Sequence, residues 1–356
     1  MTPLAPRRER LAAVLRERGV GAAYVGRLVN VRYLTGYTGS NGAVLVQADG
    51  PAIFATDGRY RDQATAEVPD LEHVISRDLI GALVGRLDGG ILGVETHALS
   101  VDTHHELAAR AIGVELRTLG RLVEEHREVK DDTEIDALRR ACAISTQALE
   151  QLFAGPLVGR SERTIARDLE NRMFELGAEA IAFETILATG PNSAIPHHAP
   201  GDRTVAPGEL LKIDFGARVD GYHADCTRTV VIGTAQGWQR DIYAAVQTAQ
   251  AAGLDDLRDG VPVAQSRATV DRILGDAGWL EYFSTGLGHG VGLEIHEDPF
   301  LGPTHPGKLV SRTALTMEPG IYLPGRGGVR IEDTAVVTKG APEVLTTMTK
   351  ELLEFA

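Results

Sequence analysis

Leu211-Lys212-Ile213-Asp214-Phe215-Gly216, followed by a turn and then Ala224-Asp225-Cys226-Thr227, sets acids into sequence that otherwise reads as apolar strand. The arrangement recurs further along as Leu315-Thr316-Met317-Glu318-Pro319-Gly320, a turn, and Ile331-Glu332-Asp333-Thr334. In each copy one acid follows an apolar residue before a glycine, and a second precedes a threonine. Anions on apolar strands repel one another and are costly to desolvate. Four of them in two matched hairpins therefore imply a shared counter-charge, most simply two metal ions.

Turn chemistry supports the pairing. Asp220-Gly221 suits a two-residue hairpin loop. Gly216 then faces Asp225, and Asp214, two residues further along, shares that face as a diagonal neighbour. A loop centred on the Pro324-Gly325 to Gly328 stretch likewise brings Glu318 and Glu332 onto one face, with Pro319 making the first strand irregular. His289, in the glycine-rich run Thr285-Gly286-Leu287-Gly288-His289-Gly290, is a fifth candidate ligand. Taken singly, each reads equally well as a turn-flanking acid, a surface charge or a loop histidine. Taken together, the repeat and the apolar strands favour a site.

Composition fits an enzyme. The 356 residues allow two domains, and 43% hydrophobic with 24% charged is ordinary for a globular chain. A formal net charge of -13 argues against general nucleic-acid binding. Cys142 and Cys226 are too few for a disulfide framework and lie in no CxxC pattern. Met1 to Arg10 lacks the apolar core of a signal peptide, and no run approaches the ~18 apolar residues of a spanning helix. A cytoplasmic protein with no membrane partner is expected.

The first part of the chain alternates helix and strand. Leu11, Val14 and Leu15 suit a helix ending at Gly19. Ala22 to Val25, Ala43 to Val46, Ala52 to Ala55, Ile91 to Val94 and Val114 to Leu116 read as strands, with a helix from His104 to Ala111. That is an α/β domain. The charged run from Glu124 to Asp132 reads as a solvated linker or helix entry and places the boundary between residues 1–126 and 127–356. Beyond it, Thr133 with Asp136 suggests a capping box, and helices are expected to Phe153, from Ser161 to Gly177, and over Trp238 to Ala252 and Val261 to Asp276. Helices with duplicated hairpins imply an α+β domain of pseudo-twofold symmetry, with the site between its halves.

The ordered set of motifs around Asp214, Asp225, Gly288-His289-Gly290-Val291-Gly292-Leu293-Glu294-Ile295-His296-Glu297, Met317-Glu318-Pro319-Gly320-Ile321-Tyr322 and Gly328-Val329-Arg330-Ile331-Glu332-Asp333 closely resembles the pita-bread metallopeptidases. Within them it is similar to the proline-specific branch, the Xaa-Pro dipeptidases (prolidases) and Xaa-Pro aminopeptidases. Asn30-Val31-Arg32-Tyr33-Leu34-Thr35-Gly36 and Asp57-Gly58-Arg59-Tyr60 resemble the creatinase-like N-terminal domain of the same enzymes.

The resemblance implies Asp214 as ligand of one metal, His289 and Glu318 as ligands of the other, and Asp225 and Glu332 as bridges. Such a donor set favours Mn²⁺, with Co²⁺ or Zn²⁺ as alternatives. Glu318 has an implied second task in proton transfer. His197 matches a histidine that assists that transfer or stabilises the tetrahedral intermediate, and His296 a substrate-binding one. Tyr322 and Arg330 match positions around the proline ring; a salt bridge from Arg330 to Glu332 is the simpler reading of that arginine. Thr285 stands where proline-specific relatives commonly carry another histidine, so a relaxed proline selectivity is expected. His198, His104 and His105 carry no assigned role. A homodimer acting on proline-containing dipeptides or short peptides is the implied whole.

Two other classes are weighed against it. A metal-free hydrolase like creatinase would lack this acid set, and a non-catalytic binding module would have lost ligands. Between dipeptidase and aminopeptidase the sequence leans slightly to the former. A dipeptidase must read a free terminal carboxylate, for which Arg312, Arg326 and Arg330 are the candidates.

Overall fold

The structure, a computed structural model, describes residues 4–355; the first three residues of the Met1 to Arg10 stretch lie outside it. The chain divides into two compact units, one ending at Arg127 and one beginning at Glu128. The first is built on a six-stranded mixed sheet. In spatial order its strands are Glu72–Ile75, Ile53–Thr56, Gly42–Gln47, Ala22–Val25, Gly90–Val94 and Val114–Thr118. Ala22–Val25 and Ile53–Thr56 are buried throughout, which accounts for their apolar, non-alternating sequence.

The charged run is not a solvated linker, although its end is a helix entry, where Asp131 caps helix Asp132–Phe153. Leu122–Glu128 is helical, and Glu124, Arg127 and Lys130 are all buried. Glu124 accepts from Arg27 Nη1 at 2.6 Å and Asn30 Nδ2 at 2.9 Å, Arg127 donates to Asn30 Oδ1 at 2.7 Å, and Lys130 Nζ reaches Glu297 Oε2 at 3.1 Å. Each of these three charges meets a complementary group in place of water, so they are buried within a run whose Glu125 and Asp132 stay exposed. The capping box also lies two positions earlier than expected. Asp131 accepts from the Glu134 amide at 3.0 Å, and the Glu134 carboxylate accepts from the Asp131 amide at 2.9 Å.

In the second unit two hairpin-and-helix halves repeat. Leu210–Phe215 pairs antiparallel with Ile186–Thr189 and with Cys226–Ile232. Its alternate residues Leu211, Ile213 and Phe215 enter a core with Leu149 and Leu152 of helix Asp132–Phe153 and with Ile165, Leu169 and Met173 of helix Glu162–Glu175. In the other half Leu315, Met317, Ile321, Val329 and Ile331 pack with Ile242 and Val246 of helix Gly237–Asp255 and with Val270 and Leu274 of helix Val263–Asp276. Burying each such side chain contributes roughly 1.5–3 kcal/mol. Packing therefore holds helices of 14 residues that would be marginal in isolation.

Both hairpins open where the acids sit. Val219 pairs with Tyr222 around Asp220-Gly221, whose φ values of 51° and 83° suit the expected tight turn. The register running from Arg218↔His223 to Phe215↔Cys226 puts Gly216 opposite Asp225. A Cβ on Gly216 would stand 1.8 Å from the Ala224 carbonyl oxygen, so only glycine allows this approach. In the second hairpin Leu323 pairs with Gly327 around a three-residue loop. The continuous register from Gly320↔Arg330 to Met317↔Asp333 sets Glu318 opposite Glu332.

Candidate metal centre

His197, Asp214, Asp225, His289, His296, Glu318 and Glu332 line one cavity of about 320 Å³. Strand alternation explains the acids. Asp214 and Lys212 project from the face of Leu210–Phe215 opposite its core-facing residues, while Asp225, Glu318 and Glu332 lie where the ladders part. His289 follows Gly288, whose Cβ would meet the Thr316 carbonyl oxygen at 2.1 Å, so the segment lies hard against the second hairpin.

The imidazole of His289 is oriented from behind. Its Nδ1 donates to the Gly290 carbonyl at 3.0 Å, which leaves Nε2 as the free acceptor, 3.5 Å from both Asp225 Oδ2 and Glu318 Oε1. Burial, only partly opposed by that hydrogen bond, pushes its pKa down to about 4 and keeps it neutral. Asp225, His289 and Glu332 each offer a ligand atom within 4.8 Å of the others.

The carboxylates are strained by one another. Burial, followed by repulsion from Glu332, Asp214 and Glu318, holds the Asp225 carboxyl well above its ordinary range. Burial and then Glu318 and Asp214 do the same to Glu332. Glu318 is pushed up to about 7, chiefly by burial. Moreover, Asp214 Oδ1 and Glu332 Oε1 are buried with no hydrogen-bond partner among the described residues. Native interiors rarely leave such oxygens unmatched. The donor set and its two orphaned oxygens fit a divalent cation centre, which would relieve both the repulsion and the lost solvation.

Further groups aim these carboxylates. Thr227 Oγ1 donates to Glu332 Oε2 at 2.6 Å and accepts from Arg330 Nε at 3.0 Å. The Arg330 guanidinium also donates to Asp214 Oδ2, and its Nη1 to the Tyr322 hydroxyl at 2.8 Å. The ion pair of Arg330 is thus with Asp214 and not with Glu332. Its backbone is tied to Thr229, which directs the guanidinium along the neighbouring strand toward Thr227 and the paired Asp214. Asp333, next to Glu332, takes the opposite part. It accepts from Arg228, Gln250, Thr346 and Lys350, and against its burial the charges and hydrogen bonds of Arg228 and Lys350 hold its carboxyl below the usual range.

His197 and His296 are exposed on the cavity wall, and the His296 ring packs edge-on to His289 at 4.4 Å. Tyr322 and Arg330 are buried behind the wall, and Thr285, half-buried, does not line it either. Arg312 bonds Asp132 at 2.6 Å and Arg326 stacks on Trp238 at 4.2 Å, both away from the cavity. Among the described residues no lysine or arginine lines it.

Sequence reasoning passed over His198, Glu162 and Lys212. His198 lines the cavity and its Nε2 lies 2.8 Å from the fully buried Glu162 carboxylate. Nothing local in the sequence marks Glu162, the first residue of an ordinary helix. Lys212 did leave a signal, as a charge in the middle of an apolar strand.

With this geometry in view, residues 136–339 match the model for metallopeptidase family M24, and residues 7–129 that of the creatinase/prolidase N-terminal domain. The Xaa-Pro dipeptidase of Pyrococcus furiosus is 32% identical over 98% of this chain and 99% of its own. Among solved structures, an Xaa-Pro dipeptidase from Bacillus anthracis superposes with a TM-score of 0.94 at 33% identity, over 99% of both chains. An X-Pro aminopeptidase from Thermotoga maritima does so with 0.90 at 32%, over 98% of this chain and 99% of its own. The match to both domain models, over a creatinase-like α/β unit and a pita-bread α+β unit, shows that the chain belongs to metallopeptidase family M24.

Proposed function

We propose that this chain is an Xaa-Pro dipeptidase, with residues 1–126 as its N-terminal domain and 127–356 as its catalytic domain. Asp214, Asp225, His289, Glu318 and Glu332 would hold two divalent ions, Asp225 and Glu332 bridging them. The observation that carries this reading is the pair of orphaned carboxylate oxygens on Asp214 and Glu332 inside a cavity shared with three further donor residues. Four carboxylates and one imidazole favour Mn²⁺, with Co²⁺ or Zn²⁺ as alternatives.

Ions bound there would lower the pKa of a shared water and polarise the scissile carbonyl. The protein's own groups do the rest. Thr227 and Arg330 fix one oxygen each of Glu332 and Asp214, so that the other faces inward. Glu318 accepts the proton of the nucleophile and passes it to the departing proline nitrogen, which must be protonated as it leaves. His197 donates to the developing oxyanion or relays the same proton, and His296 holds the substrate. Tyr322 and Arg330 support the wall from behind. Phe183, Ile186 and Ile295 supply the apolar surface on which the proline ring would rest. A cytoplasmic homodimer completes the proposal. Cys142 and Cys226, both free and buried, are consistent with a reducing compartment.

One observation favours the Xaa-Pro aminopeptidase as second reading. With no lysine or arginine among the described lining residues, a dipeptide's free carboxylate would have to be read by His198 or His296. Matched kinetics on Xaa-Pro and Xaa-Pro-Xaa substrates decide it. Higher kcat/KM on dipeptides is expected, and equal or better cleavage of the longer peptides would assign the aminopeptidase. Stoichiometric metal with no hydrolysis of either would leave the binding module.

A further inference from the structure

We propose that Lys212 is a positioning residue for His197, holding the loop that presents this histidine from the same strand that carries Asp214; the inference rests on the functional reading above.

Lys212 lies at the centre of strand Leu210–Phe215 and is fully buried. Burying an ammonium is costly unless its donors are satisfied. No carboxylate forms an ion pair with it among the described residues. Instead its Nζ donates to the carbonyl of Ile195 at 2.7 Å and to that of Pro196 at 3.1 Å, the two carbonyls that immediately precede His197. Its Nζ stands 5.1 Å from the centre of the Tyr322 ring.

The Pro196 carbonyl also accepts from Arg330 Nη1 at 3.3 Å, and the same guanidinium binds Asp214. One backbone oxygen is thus held by two basic side chains, each tied to Asp214: Arg330 by an ion pair, Lys212 through the strand they share. The rest of the loop is fastened to Glu162. That carboxylate accepts from Asn192 Nδ2 at 2.9 Å and the Gly201 amide at 2.9 Å, besides its contact with His198. Between these anchors the side chains of Ile195 and His197 remain exposed, the latter on the cavity wall.

A histidine that transfers protons must keep its distance to the reacting atoms, and a displacement of about 1 Å can cost ~10²-fold in rate. Lys212 offers that constraint in a form methionine cannot, since methionine fills the volume but donates nothing. Loss of Lys212 should therefore act through His197 and leave the carboxylate donors in place.

The test is a double-mutant cycle on the metal-loaded full chain, with Lys212→Met and His197→Ala alone and together. Lys212→Met is expected to keep its metal content, lose about tenfold or more in kcat with little change in KM, and exchange the amides of residues 193–201 faster. In the His197→Ala background the same substitution should cost less than about twofold. Equal losses in both backgrounds, or unchanged kcat with unchanged exchange, would overturn the proposal. If Lys212→Met does not fold, Lys212→Gln, whose amide still donates, is expected to keep most of kcat and slow exchange at 193–201, and a tenfold loss of kcat with unchanged exchange in that variant would overturn the proposal. A wild type inert on Xaa-Pro peptides would sink the functional reading, and the exchange measurement alone would then decide the clamp.

Discussion

Thr227 Oγ1 stands 2.6 Å from Glu332 Oε2, which occupies one oxygen of that carboxylate and leaves Oε1 buried with no donor among the described residues. The hydroxyl in turn accepts from Arg330, so its proton is committed to Glu332. A neutral side chain on the neighbouring segment, whose own carbonyl accepts from the Glu332 amide at 3.1 Å, thereby decides which oxygen faces the cavity.

Glu332→Gln and Asp225→Asn should each lower both metal content and turnover, because an amide is a poor bridge between cations. Metal analysis after dialysis, paired with Xaa-Pro hydrolysis, checks this. Full stoichiometry and normal rates in either variant would remove the residue from the centre. Chelation of the wild type should abolish activity and lower the melting temperature, since the clustered acids then face one another uncompensated.

His197→Ala should retain its metal and lose ~10²-fold or more in kcat, within the range for a positioned proton-transfer group. Wild-type rates would show an idle loop histidine, and loss of metal would make it a ligand.

Arg330→Met removes the donor shared by Asp214, Tyr322, Thr227 and the Pro196 carbonyl. Leaving Asp214 without its buried partner should destabilise the fold by about 3–5 kcal/mol. Chemical denaturation of the variant measures this, and a shift below ~1 kcal/mol would mean the guanidinium is dispensable.

The buried Glu124 gives a pH signature in the N-terminal unit. Burial alone would raise its pKa, but hydrogen bonds from Asn30, His97 and Arg27 outweigh it and hold the carboxyl down at about 2. A depressed folded-state pKa contributes stability that is present above the unfolded value of ~4.3 and lost as pH falls through the folded one. The gap in melting temperature between wild type and Glu124→Gln should therefore be open at neutral pH and close between about pH 4 and pH 2. A gap that does not change over that window would contradict the assignment.

The sequence alone determined the local features. Strand alternation around Asp214, the Asp220-Gly221 turn and the second turn after Leu323 are set by side-chain period and backbone conformation, which neighbouring residues dictate. Those rules sufficed to put Asp214 beside Asp225 and Glu318 beside Glu332, and the repeat pointed to one centre. Tertiary structure alone decided everything that depends on which distant atom satisfies a buried polar group. It paired Arg330 with Asp214 and buried Glu124, Arg127 and Lys130 in a run that composition marks as solvated. It also placed Tyr322 and Thr285 off the cavity wall and turned Lys212 toward two carbonyls sixteen and seventeen residues away. A buried charge must find a partner, but its identity is fixed by strand packing across the fold, which no local window of sequence contains.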